Sequence, residues 1–260
     1  MQPQAVRPLP EVLEALREKG LRRGVGPIPG QAVAPPISTG HARLDEALRS
    51  GGWPRGSLAL LDAPLGAGAT SLALGTLVAC QAAGGLVAWL DLEGSFDAST
   101  AARAGVNLDW LLLARPRDPT EAVELTAWLS RTRLLDVLVL DLGIASLASR
   151  VLSRLPELLA RSGSVALALA PAARETVAAV AGIRLVLERR AWLTVGRDLV
   201  GERVQATVER HRWALAGRSA ELDVWFGEGR RIDALLRSQA TPRPTLVPVE
   251  ERPALHVLSA

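Results

Sequence analysis

From Ser57 onward, short apolar runs alternate with helical ones along the chain: "SLALLD", then "TSLALGTLVACQAAG"; "GLVAWLDLE", then "DASTAARAG"; "WLLLA", then "PTEAVELTAWLSRT"; "DVLVLDLG", then "SRVLSRLPELLARSG"; and finally "SVALALA". Strands apolar on successive residues must be buried on both faces, and a helix between each pair supplies the cover. This rhythm predicts an α/β fold with a doubly wound, mostly parallel sheet. After about Gly182 it gives way to "IRLVLERRAWLTVGRD", "ERVQATVERHRWAL" and "AELDVWFGEG", runs rich in β-branched and aromatic residues and punctuated by turn signals. These are expected to extend the sheet as antiparallel strands.

Outside this core the pattern changes. "LPEVLEALREKG" opens on Pro10, places Val12, Leu13 and Leu16 on one side and stops at Gly20, which predicts a short amphipathic helix. "LRRGVGPIPGQAVAPP" holds too much Gly and Pro for a helix to cross. The last residues carry several prolines and no periodicity, so a flexible tail is expected. Three regions result: residues 1–36 as helix and linker, 37–237 as the α/β core, and 238–260 as a Pro-rich tail.

Composition excludes several classes. The single cysteine, Cys80, lies in an apolar run, so no disulfide framework is possible and a buried small hydrophobe is expected. His41, His211 and His256 are scattered without metal-ligand spacing, so no metal site is expected. The formal charge of +3 is too small to imply nucleic-acid binding. Adjacent pairs such as Arg22-Arg23, Arg189-Arg190 and Arg230-Arg231 offer local basic patches, enough for weak nonspecific DNA contact. With neither an export signal nor an apolar run of membrane-spanning length, a cytoplasmic protein is expected. Seven tryptophans are dispersed and read as core, except that Trp53, set between Gly52 and Pro54, is expected to be exposed.

The segment "DAPLGAGATS", Asp62 to Ser71, follows the first strand and opens a helix. That is the context of a phosphate loop, G-x-x-x-x-G-K-[ST], whose backbone N–H groups cradle phosphate. Here Ala63 replaces the first glycine and Ala69 the lysine. A charge-assisted hydrogen bond contributes roughly 1.5–3 kcal/mol, about 10- to 150-fold in affinity. Losing the lysine therefore weakens nucleotide binding without abolishing it, whereas turnover loses roughly a further 10²- to 10³-fold. Gly66, Gly68, Thr70 and Ser71 remain as binding candidates. Asp141, ending "LDVLVLD", stands where a carboxylate organises Mg²⁺, and Glu93, in "WLDLEG", where one orients an attacking water.

The run from "ISTGHARLDEALRSGGWPRGSLALLDAP" through "AWLDLEGSFDASTAARAGVNLDWLLLARP" to "VLVLDL", extended by "GIRLVLERR" and "AELDVWFGEG", resembles the ATPase core of bacterial RecA from Ile37 to about Gly229. "TGHARLDEALRSGGWPRG" is more similar to ImuA, the RecA-related accessory protein of the bacterial inducible mutagenesis cassette. The resemblance implies roles for Asp141 as the Mg²⁺-organising carboxylate, Glu93 as the catalytic glutamate and Thr70 as the Mg²⁺-ligating hydroxyl. It sets Arg210 and Arg212 near basic positions that reach a neighbouring subunit's nucleotide. Departures accompany it: Ala170 and Pro171 replace a nucleotide-sensing Asn-Gln pair, Thr100 stands where an aromatic covers adenine, and the DNA-binding loops are short.

These departures lead to the expectation of a non-catalytic adaptor without a cofactor, acting in SOS-induced error-prone translesion DNA synthesis. Its implied partners are the ImuB polymerase-like subunit, RecA, an error-prone replicative-type polymerase and a second copy of the chain, with Val12, Leu13 and Leu16 as docking residues. The alternative is an ATP-dependent RecA-type recombinase or ATPase in which Arg210 and Arg212 act in trans.

Overall fold

The computed structural model describes residues 34–145, 152–195, 197–225 and 245–248. The helix expected at 10–20, with Val12, Leu13 and Leu16, lies outside them. In chain order the elements are α1 (Ala42–Ala47), β1 (Leu58–Asp62), α2 (Ala69–Ala82), β2 (Val87–Asp91), α3 (Ala98–Arg103), a 3₁₀ turn (Leu108–Trp110), β3 (Leu111–Ala114), α4 (Pro119–Thr132), β4 (Val137–Asp141), α5 (Leu155–Ser162), β5 (Val165–Leu169), α6 (Arg174–Val180), β6 (Ile183–Val195), β7 (Asp198–His211), β8 (Ser219–Trp225) and β9 (Thr245–Pro248).

The sheet runs β3-β2-β4-β5-β1-β6-β7-β8. Every pairing from β3 to β6 is parallel, and β7 and β8 join antiparallel. This is the doubly wound RecA-like architecture with antiparallel C-terminal strands. Side chains alternate across the strands, so Val137 and Val139 pack into one core layer with Trp89 and α2, while Leu138 and Leu140 pack into the other with α4 and α5. Burial on both faces is why these strands read as continuous apolar runs. In α4, Asp118 caps the helix by accepting from the Glu121 N–H, and Pro119 follows at the first position.

Two expectations are corrected. Trp53 is 0% exposed. The chain before it forms an antiparallel bridge, with the Trp53 N–H donating to the Ile37 carbonyl and the Ile37 N–H returning to that of Trp53, and the indole Nε1–H donates to Thr76 Oγ1 at 3.0 Å on α2. The flanking residues serve the same clasp. Gly52, at φ 135°, would set a Cβ 2.3 Å from the Ile37 carbonyl oxygen, and Arg55 pairs with Asp136 at 2.7 Å. "GGWPRG" is thus a seam that closes residues 37–53 onto α2 and the base of β4.

The second correction concerns the tail. Thr245–Pro248 forms β9, antiparallel to Ala191–Thr194 of β6. β1 covers only Ile183–Val186 of β6, so the strand overhangs β1 and offers an unpaired edge. Pro248 sits at the end of the added strand, where a missing N–H is tolerated.

Candidate functional site

β1, β2 and β4 end in Asp62, Asp91 and Asp141, and a cleft of about 370 Å³ opens beyond their C-terminal ends. In open α/β sheets this is where ligands bind. Gly66, Gly68, Thr70, Ser71, Glu93 and Asp141, each a candidate from sequence, all line it. The loop after β1 delivers Gly66 and Gly68, and the first turn of α2, which begins at Ala69, delivers Thr70 and Ser71.

Loop geometry removes one objection to phosphate binding. Gly66 and Gly68 have φ 74° and 83°, values only glycine adopts at no steric cost, whereas Ala63 is not in the positive-φ region. Ala63, in the place of the first glycine, therefore carries no left-handed strain. Gly68 is the N-cap of α2, a helix long enough for its free N–H groups and dipole to attract an anion.

The carboxylates are placed differently from one another. Asp91 is fully buried and accepts from the Ser95 and Phe96 N–H groups, so it holds the turn after β2. Glu93 accepts from the Ile144 N–H at 2.7 Å, reaching across to the loop after β4. A Cβ at Gly143 would fall 2.1 Å from Glu93 Cδ, so glycine makes room for the acid. Asp141 accepts from the Gly143 N–H at 3.3 Å. Burial pushes its carboxyl above the ordinary range, helped by repulsion from Asp91 and Glu93.

A raised folded-state pKa means that the native state holds this proton more tightly than the unfolded chain does. The stabilising contribution is complete below the unfolded value and is lost as pH rises through the folded one. Asp141→Asn removes the charge and the penalty. We expect the variant to be more stable than the parent at pH 7, within the ~0.5–2 kcal/mol typical of single stabilising changes. The difference should shrink towards pH 4 in urea titrations; a variant equally stable or weaker at pH 7 contradicts this reading.

Two further groups enter the cleft region, one that sequence reasoning missed and one that it named only as half of a basic pair. Glu202, on β7, lines the cleft and is 2% exposed. Arg189, on β6, pairs with Glu202 and donates to the Gly66 carbonyl oxygen. Its neighbour Arg190 turns away to Glu188 and Gln205, so the pair is no shared basic patch. β6 and β7 have register shifts at Arg184/Leu185, Arg189/Ala191 and Leu193/Thr194, which no period-2 reading of sequence anticipates.

Arg210 and Arg212 are elsewhere. They line a cleft of about 820 Å³ with Trp213 and Glu157, and Arg210 donates to the Ala178 carbonyl at 2.9 Å. That cleft shares no lining residue with the phosphate loop's. A third cleft, of about 740 Å³, meets the first at Ser71 and is bounded by Thr100, Arg103 and Trp225. Cys80 is buried, and burial pushes its thiol up to about 12, so it is no nucleophile. Among the described residues no helix is long and apolar enough to cross a membrane.

A glycine-bearing loop between a buried strand and a helix, faced by acids from two neighbouring strand ends, defines the class of phosphate-loop α/β proteins. Within that class, the profile of the RecA N-terminal domain matches residues 29–153. The chain is 30% identical to Protein RecA of Rhodococcus opacus over 239 residues, 77% of this chain and 68% of that protein. Protein RecA of Listeria monocytogenes is 31% identical over 229 residues, 74% of this chain and 66% of its own length. The crystal structure of the RadB recombinase superposes with a TM-score of 0.57 at 24% identity, covering 72% of this chain and 95% of that one, which concerns the fold. The chain belongs to the RecA family. It spans about two thirds of the length of the curated relatives it matches. This membership overturns the expectation of a non-enzyme: two alanines in a loop do not outweigh kinship with RecA proteins and a cleft that keeps Thr70, Glu93 and Asp141 together.

Proposed function

We propose that the chain is a RecA-type ATPase in DNA repair, binding the magnesium complex of a nucleoside triphosphate on the 62–71 loop. The observation that carries this reading is the convergence of Thr70, Glu93 and Asp141 on one cleft at the N-terminus of α2. The donor set fits Mg²⁺: a threonine hydroxyl and a carboxylate are the hard oxygen ligands it takes beside phosphate oxygens and water. Bound there, the ion would neutralise phosphate charge. Glu93 would orient the attacking water and take its proton, and the α2 N–H groups would hold the phosphates. The adjoining cleft beside Trp225 has room for the base. Arg210 and Arg212, displaced from the phosphate loop of their own chain, would act on the site of a second copy.

A finer role is favoured by one observation. The connection between β5 and β6, residues 170–182, holds only the short α6, leaving little chain to grip single-stranded DNA. Together with the ImuA-like "GGWPRG", this supports a nucleotide-dependent role in error-prone translesion synthesis, with a polymerase-like subunit and RecA as partners.

Calorimetry with MgATP, followed by phosphate release from contaminant-free protein with and without single-stranded DNA, tests the proposal. Binding at micromolar to millimolar concentration with slow, DNA-sensitive turnover is expected. Neither binding nor turnover at millimolar MgATP would refute it.

A further inference from the structure

The phosphate cleft has an electrostatic deficit. Glu93, Asp141 and Glu202 all line it, and no lysine or arginine does among the described residues. A triphosphate entering such a cleft meets like charge from three sides, and the loop's own cation position is Ala69. Binding demands a compensating cation close by.

One is already in contact with the loop. Arg189 reaches over from β6, donates Nη2–H to the Gly66 carbonyl oxygen and Nε–H to Glu202. Its Cζ lies 4.0 Å from the ring centroid of Trp192, a platform that fixes the guanidinium plane. Gly66 lies against it: a Cβ there would sit 3.4 Å from Arg189 Nη2, an ordinary contact distance, and the residue's φ of 74° is what favours glycine. Glu202 Oε1 is 3.6 Å from where a Cβ would stand on Gly68, the residue that caps α2. The Arg189–Glu202 pair thus lies alongside the two glycines that shape the loop.

A guanidinium carries five N–H donors in one plane. One is committed to Glu202 and one to Gly66, and the rest stay available on the head group. Building on the nucleotide-binding reading above, we infer that Arg189 supplies from β6 of the same chain the phosphate-neutralising cation that the loop lacks at Ala69. Glu202 and Trp192 hold it on the loop. Glu202 need not let go: Nε and Nη2 keep their acceptors, and Nη1 is left to donate to a phosphate oxygen. Arginine suits this bridging better than lysine because its donors form a rigid fork.

The test uses the full chain and two probes, the magnesium complex of a slowly hydrolysed ATP analogue and adenosine. The variants are Arg189→Gln, Arg189→Lys and Glu202→Gln. Arg189→Gln should bind the analogue about 10- to 100-fold more weakly and adenosine as the parent does, while Arg189→Lys recovers most of the loss. Glu202→Gln keeps a carbonyl acceptor for Arg189 Nε but removes the repelling charge, so it should bind the analogue more tightly. Equal affinity of parent and Arg189→Gln for the analogue would overturn the inference and leave the nucleotide site standing. Parallel loss of adenosine and analogue binding would also overturn it, assigning Arg189 to the fold alone. If Arg189→Gln fails to fold, Arg189→Met takes its place, read with the same two probes and the same outcomes. Failure of the parent itself to bind the analogue would remove the nucleotide-binding reading, and this inference with it.

Discussion

Substituting alanine for Trp53 is expected to lower the stability of the chain by about 3–5 kcal/mol, the usual cost of emptying a fully buried aromatic site. The indole fills the space between residues 37–53 and α2 and donates its one N–H to Thr76. Truncation leaves a cavity and returns the Thr76 hydroxyl to its bonds with the Leu72 and Thr39 carbonyls alone. Against a typical net stability of roughly 5–15 kcal/mol, that is about a third to a half of a mid-range value. Urea denaturation checks it, with Trp128→Ala as comparison, since Trp128 is 39% exposed. A Trp53→Ala midpoint equal to that of Trp128→Ala would show that the seam carries no such weight.

Glu93→Gln is expected to reduce ATP turnover by about 10²- to 10⁴-fold, the range for a positioned general base, while nucleotide affinity changes little. The reason is geometric. The amide keeps an oxygen for the Ile144 N–H, so the loop after β4 stays in place, but it has lost the capacity to accept a proton. Single-turnover phosphate release on protein saturated with MgATP measures the effect. If the chain works in damage-induced mutagenesis through turnover, the same substitution should also suppress mutagenesis in cells. Undiminished turnover in Glu93→Gln would assign the water-orienting role elsewhere.

Much of the architecture was readable in advance because strands buried on both faces have little freedom in composition. "VLVLD" and "VALAL" could hardly be anything else. Gly66, Gly68, Thr70, Ser71, Glu93 and Asp141 were also readable, since loop and strand-end positions follow from the order of elements. Trp53 was misread because turn-forming neighbours say where the backbone bends, not where the indole goes. Its burial depends on α2 and on residues 37–39, which only the tertiary fold brings alongside. β9 was missed because the edge it fills exists only where β6 outruns β1. Arg189 and Glu202 were unreadable because irregular register between β6 and β7 decides which of two adjacent arginines faces the loop. The expectation of a non-enzyme failed for a related reason. It counted absences position by position, at Ala63, Ala69, Thr100, Ala170 and Pro171, whereas a charged cleft is assembled from side chains more than a hundred residues apart.

That assembly also dictates when the site can exist during synthesis. β1 carries the phosphate loop, yet its neighbours in the sheet are β5 and β6, with Leu58 opposite Ala166 and Ala59 opposite Ile183. On the ribosome the loop emerges long before either partner strand, and β1 has no hydrogen-bonding neighbour until β5 has left the exit tunnel, and its second edge stays open until β6 follows. The nascent chain must carry that apolar strand unpaired while the residues from Asp62 to Val165 are made, a window in which a chaperone would protect it.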